Sequence, residues 1–154
     1  MKIFFAAISI AFATASGSGR AAPLPSAAAA TSQPVVVESY YRAKWGGGEE
    51  FKRLYVKNEQ RLLREMQRLG FIKALRFDQQ FTHMPGGARW DLRATIVYRD
   101  APSAVESNGA FEQAFDDARV RLIPDKAAYD AEEARRFSLL DDHWDIVVAP
   151  ITEK

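Results

Sequence analysis

The chain has 154 residues, enough for one domain built on one core. Its 21 basic and 20 acidic residues nearly cancel, so no net field draws it towards nucleic acid. Cysteine is absent, which excludes a disulfide framework, a thiolate nucleophile, a Cys-ligated metal and a lipid-modified cysteine.

Met1 and Lys2 lead into an uncharged apolar run from Ile3 to Ala15, followed by small residues. The run is short for a bilayer span, and Ala13-Thr14-Ala15 gives the small-x-small pattern of a signal-peptidase site, with cuts near Ala21 or Ala22 also compatible. Residues 1–22 are therefore expected to be a secretory signal peptide, and the protein periplasmic or secreted, with no membrane attachment after cleavage. Residues 23–34 are rich in Ala, Ser and Pro without periodicity, and are expected to form a disordered leader. The folded domain is expected over residues 35–154.

Val35 opens VVVESYYRAK, whose β-branched and aromatic residues favour a half-buried strand. Trp45 and three glycines, Gly46 to Gly48, stop it. No Lys-Ser/Thr follows at P-loop spacing, so the glycines read as a turn. From Glu49 to Leu69 the residues Phe51, Leu54, Tyr55, Leu62, Leu63, Met66 and Leu69 form one apolar stripe, which predicts an amphipathic helix ended by Gly70. Its basic residues, Lys52 to Arg68, read as a solvated outer face.

Phe71 to Phe81 predicts a second strand with Phe71, Leu75 and Phe77 on one side and Ile72, Ala74, Arg76, Asp78 and Gln80 on the other. Met84-Pro85-Gly86-Gly87 is a turn, and WDLRATIVYRD, from Trp90 to Asp100, alternates most cleanly of all. Trp90, Leu92, Ala94, Ile96 and Tyr98 share one side; Asp91, Arg93, Thr95, Val97 and Arg99 share the other. The two strands are expected to form an antiparallel hairpin. Pro102 and the spacing of Phe111, Ala114, Phe115, Ala118 and Leu122 predict a helical region broken at Asn108-Gly109. Pro124 interrupts it, Asp125 caps a further helix through Tyr129, Glu133, Phe137 and Leu140, and His143 to Ile151 predicts a last strand with Trp144, Ile146 and Val148 on one face.

The order strand, helix, strand, strand, helix, strand is that of an α+β, ferredoxin-like split βαβ fold. Its helices cover one sheet face, and a domain this small gains by closing the other against a copy of itself. The strand end Tyr40-Tyr41-Arg42-Ala43-Lys44-Trp45, the glycine turn, the helix opening Glu50-Phe51-Lys52-Arg53-Leu54-Tyr55, Gly70-Phe71-Ile72 and the Trp90-Asp91-Leu92 strand together resemble the dimeric α-β barrel superfamily. Within it the likeness is to NIPSNAP-like, EthD-like and antibiotic-biosynthesis-monooxygenase-like domains, over residues 35–151. The resemblance implies a homodimer whose free sheet faces enclose a barrel, where some members bind haem or oxidise small aromatic substrates. Haem-degrading members use a strand Asn, a strand Trp and a helix His. Trp90 matches the Trp, but no His falls in a predicted helix, so haem degradation is not implied.

On that reading the barrel is lined by Glu38, Tyr40 and Arg42 from the first strand, Arg76 and Asp78 from the second, and Arg93 and Thr95 from the third. They could pair among themselves across an interface, or Arg76 and Arg93 could hold a polar or anionic small ligand. The run Asp141-Asp142-His143-Trp144-Asp145 would place His143 and Asp145 on one side of a strand, in reach of metal or acid-base chemistry. It reads more simply as a helix end entering a strand, so neither a metal nor a cofactor is expected. Ser103, Ser107 and Ser138 lack a nucleophile-elbow context. Tyr40 and Tyr41 lack the glycine-aromatic motif of an RNA-binding sheet, and no nucleic-acid partner is expected. Three functions stay open: a small-ligand-binding dimer, an oxygenase-like or isomerase-like barrel enzyme, and an interaction protein without a pocket.

Overall fold

A computed structural model describes residues 33–82 and 85–149. The expected signal peptide, most of the leader, His83 and the last residues of the chain lie outside that range.

Four strands form one sheet: β1 (Val35–Ala43), β2 (Ile72–Asp78), β3 (Leu92–Tyr98) and β4 (Leu140–Val148), in the order β2-β3-β1-β4 with every pair antiparallel. Sequence neighbours β2 and β3 form the expected hairpin, and the first and last strands pair with each other. With helices between β1 and β2 and between β3 and β4, this is the ferredoxin-like arrangement.

The helix after β1 starts behind a tight turn in which Gly46 takes φ +82°, a left-handed conformation that suits glycine. Asp91 holds this corner: its carboxylate accepts from the Ala43 N–H at 2.8 Å and from Arg89 at 3.2 Å. The helix is not one continuous α-helix. It runs as α1 (Gly48–Tyr55), a π-helical turn (Val56–Gln60) and α2 (Arg61–Arg68). The apolar stripe skips from Tyr55 to Leu62, and the π turn falls in that interval. Asn58 within it is fully buried, and Leu62, Leu63 and Met66 after it pack into the core. Leu69, expected within the stripe, is 41% exposed, since the helix ends there. Gly70 follows at φ +82°, with the Phe71 N–H bonded to the Met66 carbonyl at 3.0 Å.

Two strand readings need correction. A bulge between Ile72 and Ala74 turns Ile72 to the helix side with Leu75 and Phe77, and Ile72 is 2% exposed. Trp90 does not share the face of Leu92, Ala94 and Ile96. It precedes β3, which begins at Leu92, and its ring meets Tyr40 and Arg93 on the opposite side.

After β3, Asp100 caps α3 (Ala101–Val105) by accepting from the Ser103 N–H at 2.8 Å. Asn108, at φ +60°, and Gly109 separate it from α4 (Ala110–Leu122), as expected. Asp125 caps α5 (Lys126–Ser138) through the Ala128 N–H at 3.0 Å. The last strand starts three residues earlier than expected, so Asp141 and Asp142 belong to β4. The core lies between helices and sheet, with Phe51, Tyr55, Leu62 and Met66 above and Tyr41, Leu92, Ala94, Ile96 and Ile72 below. Each large side chain buried there contributes about 1.5–3 kcal/mol.

Candidate functional site

Alternation along four paired strands divides the sheet into two faces. Glu38 stands opposite Thr95 and Ile146, and Tyr40 opposite Arg93 and Trp144; Arg76 pairs with Thr95, and Asp78 with Arg93. All seven residues expected to line a barrel therefore share the face that carries no helix. The reason is local: on each strand they alternate with residues that the helices bury.

The face brings most of them into one network. Arg93 reaches Asp78 at 2.9 Å and Glu38 at 3.9 Å, Arg76 reaches Asp78 at 2.8 Å, and the Tyr40 hydroxyl donates to Glu38 at 2.6 Å. Hydrogen bonding from Arg93, helped by Arg76, holds the Asp78 carboxyl below the usual carboxylate range. The bond to Glu38 raises the Tyr40 hydroxyl above its ordinary value. Thr95 sits between Glu38 and Arg76 in the register. Arg42 is separate: at the β4 edge it pairs with Asp141 at 2.8 Å and Asp142 at 3.0 Å, and donates to the Gly87 carbonyl at 3.2 Å.

Beside the ions Tyr40 belongs to an aromatic shelf whose other rings, Trp90 and Trp144, sequence reasoning did not assign to the site. Trp144 stacks on Tyr40 at 5.3 Å with the rings 4° apart, Trp90 meets Tyr40 edge-on at 5.9 Å, and the Arg93 guanidinium lies 5.5 Å from the Trp90 ring centre. The alternation of Trp144, Ile146 and Val148 was legible, but alternation alone does not say which face stays uncovered. Ile146 and Val148 remain 45% and 41% exposed.

A second polar group lies on the helix side. His143, opposite Tyr41 in the register, stacks on its ring at 4.4 Å, and its Nε2 lies 3.4 Å from Asp145 Oδ1. His143 and Asp145 do point the same way, as expected. His143 holds the Asp145 carboxyl below its ordinary value, with help from Ser39. Above them the π turn carries Asn58 and Glu59. Asn58 is fully buried and donates to Glu132 and Glu133 of α5, each at 3.2 Å. Arg136, 2% exposed, pairs closely with Glu133 and lies 3.5 Å from Glu59. Burial pushes the Glu59 carboxyl above the usual carboxylate range, outweighing the opposing field of Arg136. Tyr55 Oη and Asn58 Oδ1 are buried without hydrogen-bond partners. Among the described residues, no three His, Asp or Glu side chains converge to hold a metal ion.

A shallow open groove of about 470 Å³ runs past the π turn, lined by residues that include Lys52, Val56, Gln60 and Phe77. Lys52 is engaged there with Gln79 at 2.9 Å and Glu49 at 2.6 Å.

No family model matches the chain, and no curated protein sequence does. Solved structures do resemble it. A NIPSNAP family protein from Agrobacterium tumefaciens is 15% identical, over 78% of this chain and 88% of that one, with a TM-score of 0.46. A dimeric ferredoxin-like protein from an uncultured marine organism is 8% identical over 80% and 93%, with a TM-score of 0.45. A structure described as an antibiotic biosynthesis monooxygenase from Bacteroides thetaiotaomicron is 11% identical over 77% and 90%, with a TM-score of 0.44. The likeness concerns the fold, which the strand register already establishes.

Proposed function

We propose that the protein is exported, pairs with a second copy through the open face of its sheet, and holds a small polar ligand in the barrel so formed. The observation that carries this reading is the composition of that face. Arg93 is already neutralised by carboxylates of its own protomer, so an approaching copy meets no unpaired charge there. Ile146 and Val148 supply apolar area at the same time. A two-fold axis would set this patch against the same patch of the second copy. The Tyr40–Trp144 stack offers a flat apolar surface for a ligand. Arg76, whose side chain is 72% exposed, presents donors that an acidic ligand group can take.

Native mass spectrometry of the protein purified from a periplasmic extract tests all three parts. The expected spectrum is a dimer of the processed chain carrying a small adduct. Arg93→Ala is expected to keep the fold and lose the adduct or weaken the dimer. A monomer without adduct, at concentrations where related contacts form dimers, overturns the barrel. An unprocessed N-terminus overturns the export.

A further inference from the structure

We propose that the groove beside the π turn binds a small amphipathic carboxylate, a straight-chain acid of about eight to ten carbons, with its charged end at Lys52 and Arg53 and its chain over Val56 and Phe77. Phe77 and Leu92, which line it, point to the helix side of the sheet, so the site does not depend on the open face.

The shape of the groove comes from a helix and an edge strand that touch at two places. Lys52, Val56, Gln60 and Arg64 follow one another along one side of the helix, and Phe77 and Gln79 stand opposite, at the end of β2 and just beyond it. At one end Lys52 Nζ donates to Gln79 at 2.9 Å. At the other the Arg64 guanidinium lies 5.3 Å from the Phe77 ring centre. Between these crossings the helix rises about 12 Å from Lys52 to Gln60, which sets the length of chain that fits. The volume of about 470 Å³ is that of a small-molecule site rather than of a protein interface. Val56 is 52% exposed in this interval, an apolar side chain set above a floor in which Leu92 is 5% exposed.

Polarity is graded along the groove, and its charge is not balanced. Of the acids that border it, Asp78 is taken by Arg76 and Arg93, and Glu49 by Lys52. Arg53 is exposed and forms no ion pair among the described residues. The two carboxylates that its field reaches, Glu50 and Glu132, are bonded to Arg135 and Lys57. One positive charge is therefore uncompensated, beside a Lys52 held only by an amide and an exposed carboxylate. An anion at this end meets two cations, and an apolar chain running from it covers Val56 and Phe77. A cationic head or a polar chain gains neither.

Isothermal titration calorimetry of the purified full chain with decanoate, below its micelle concentration, tests the site. Decanoate is expected to bind saturably at one site per chain, and decyltrimethylammonium not to bind. Octanoate should bind about fourfold more weakly, which corresponds to half the effect of completely burying two methylene groups, because the groove is open on one side. Arg53→Gln should weaken decanoate about tenfold, and Val56→Asp should abolish its binding. Arg61→Gln, exposed and outside the groove, should leave it unchanged. All three positions are exposed, so melting temperatures should stay within a few degrees of wild type. Arg93→Ala, on the open face, should also leave decanoate binding unchanged, which separates this site from any ligand of the barrel.

Absence of saturable decanoate binding by the wild-type protein, equal binding of the cationic amphiphile, or a loss that follows Arg93→Ala rather than the groove substitutions overturns the proposal. A Val56→Asp chain that passes from dimer to monomer in size-exclusion chromatography identifies the groove as a contact between copies, and overturns it too.

Discussion

Replacing Arg136 with methionine tests the buried charge cluster most directly. The Arg136 side chain is 3% exposed and lies between Glu133, at 14%, and Glu59, at 25%. Its guanidinium also lies over the rings of Phe137 at 4.5 Å, Tyr55 at 5.5 Å and Phe51 at 5.9 Å. Methionine keeps most of that packing volume and removes only the charge. Two carboxyl groups then remain without their cation in a poorly solvated place, an arrangement that costs about 3–5 kcal/mol. Against a total stability of about 5–15 kcal/mol this is a large loss.

The pH dependence gives the cluster a distinct signature. The Glu59 carboxyl is raised in the folded protein, so between its ordinary value and its raised one the folded state binds more protons than the unfolded state. Stability contributed by that group is present at low pH and is lost as pH rises through the window. Removing Arg136 removes the field that opposes burial, raises Glu59 further and widens the window. Urea unfolding followed by tryptophan fluorescence should show the Arg136→Met midpoint lowered by about 1–3 M at neutral pH with an unchanged slope. The deficit should shrink near pH 5. A variant midpoint equal to wild type at neutral pH, or a deficit of equal size at both pH values, would refute the account of Arg136 as a buried counter-ion.

Two further substitutions probe the fold. Ile96→Asp places a carboxylate at a position 5% exposed in a central strand, at a cost of several kcal/mol, and should abolish soluble folding. Wild-type melting of that variant would mean the sheet faces are inverted. Gly70→Ala forces a Cβ into a left-handed residue at φ +82° that meets no neighbour, so only the backbone cost of about 1 kcal/mol applies. A few degrees of lost thermal midpoint is the expected result, and a stabilised variant would contradict the cap.

Much of the fold was legible because its signals are short-range. The alternation of β3 from Leu92 to Tyr98, the break at Asn108-Gly109 and the cap at Asp125 depend on residues within a few positions of one another, and the structure places each as read. The readings that changed depended on something further away. Trp90 fits the alternation of β3, but the chain enters the strand only at Leu92, after Asp91 has bonded to the β1 end. Ile72 fits the polar side of β2 until the bulge at its start is known. The seven residues of the helix-free sheet face could be grouped from alternation because each strand separates its faces locally.

The amino-acid order by itself therefore determined the elements, most of their ends and the partition of each strand into two sides. Tertiary structure alone decided which of those sides the helices cover, and so which residues can meet. Asn58 and Glu133 lie 75 residues apart, share no motif, and neither periodicity nor spacing relates them, yet they are hydrogen-bonded at 3.2 Å. A π turn carries Asn58 inward from one helix, α5 presents Glu133 beside Arg136, and packing buries Asn58 and Arg136. Hydrophobic burial sets that juxtaposition across the whole core, which is why no local pattern records it.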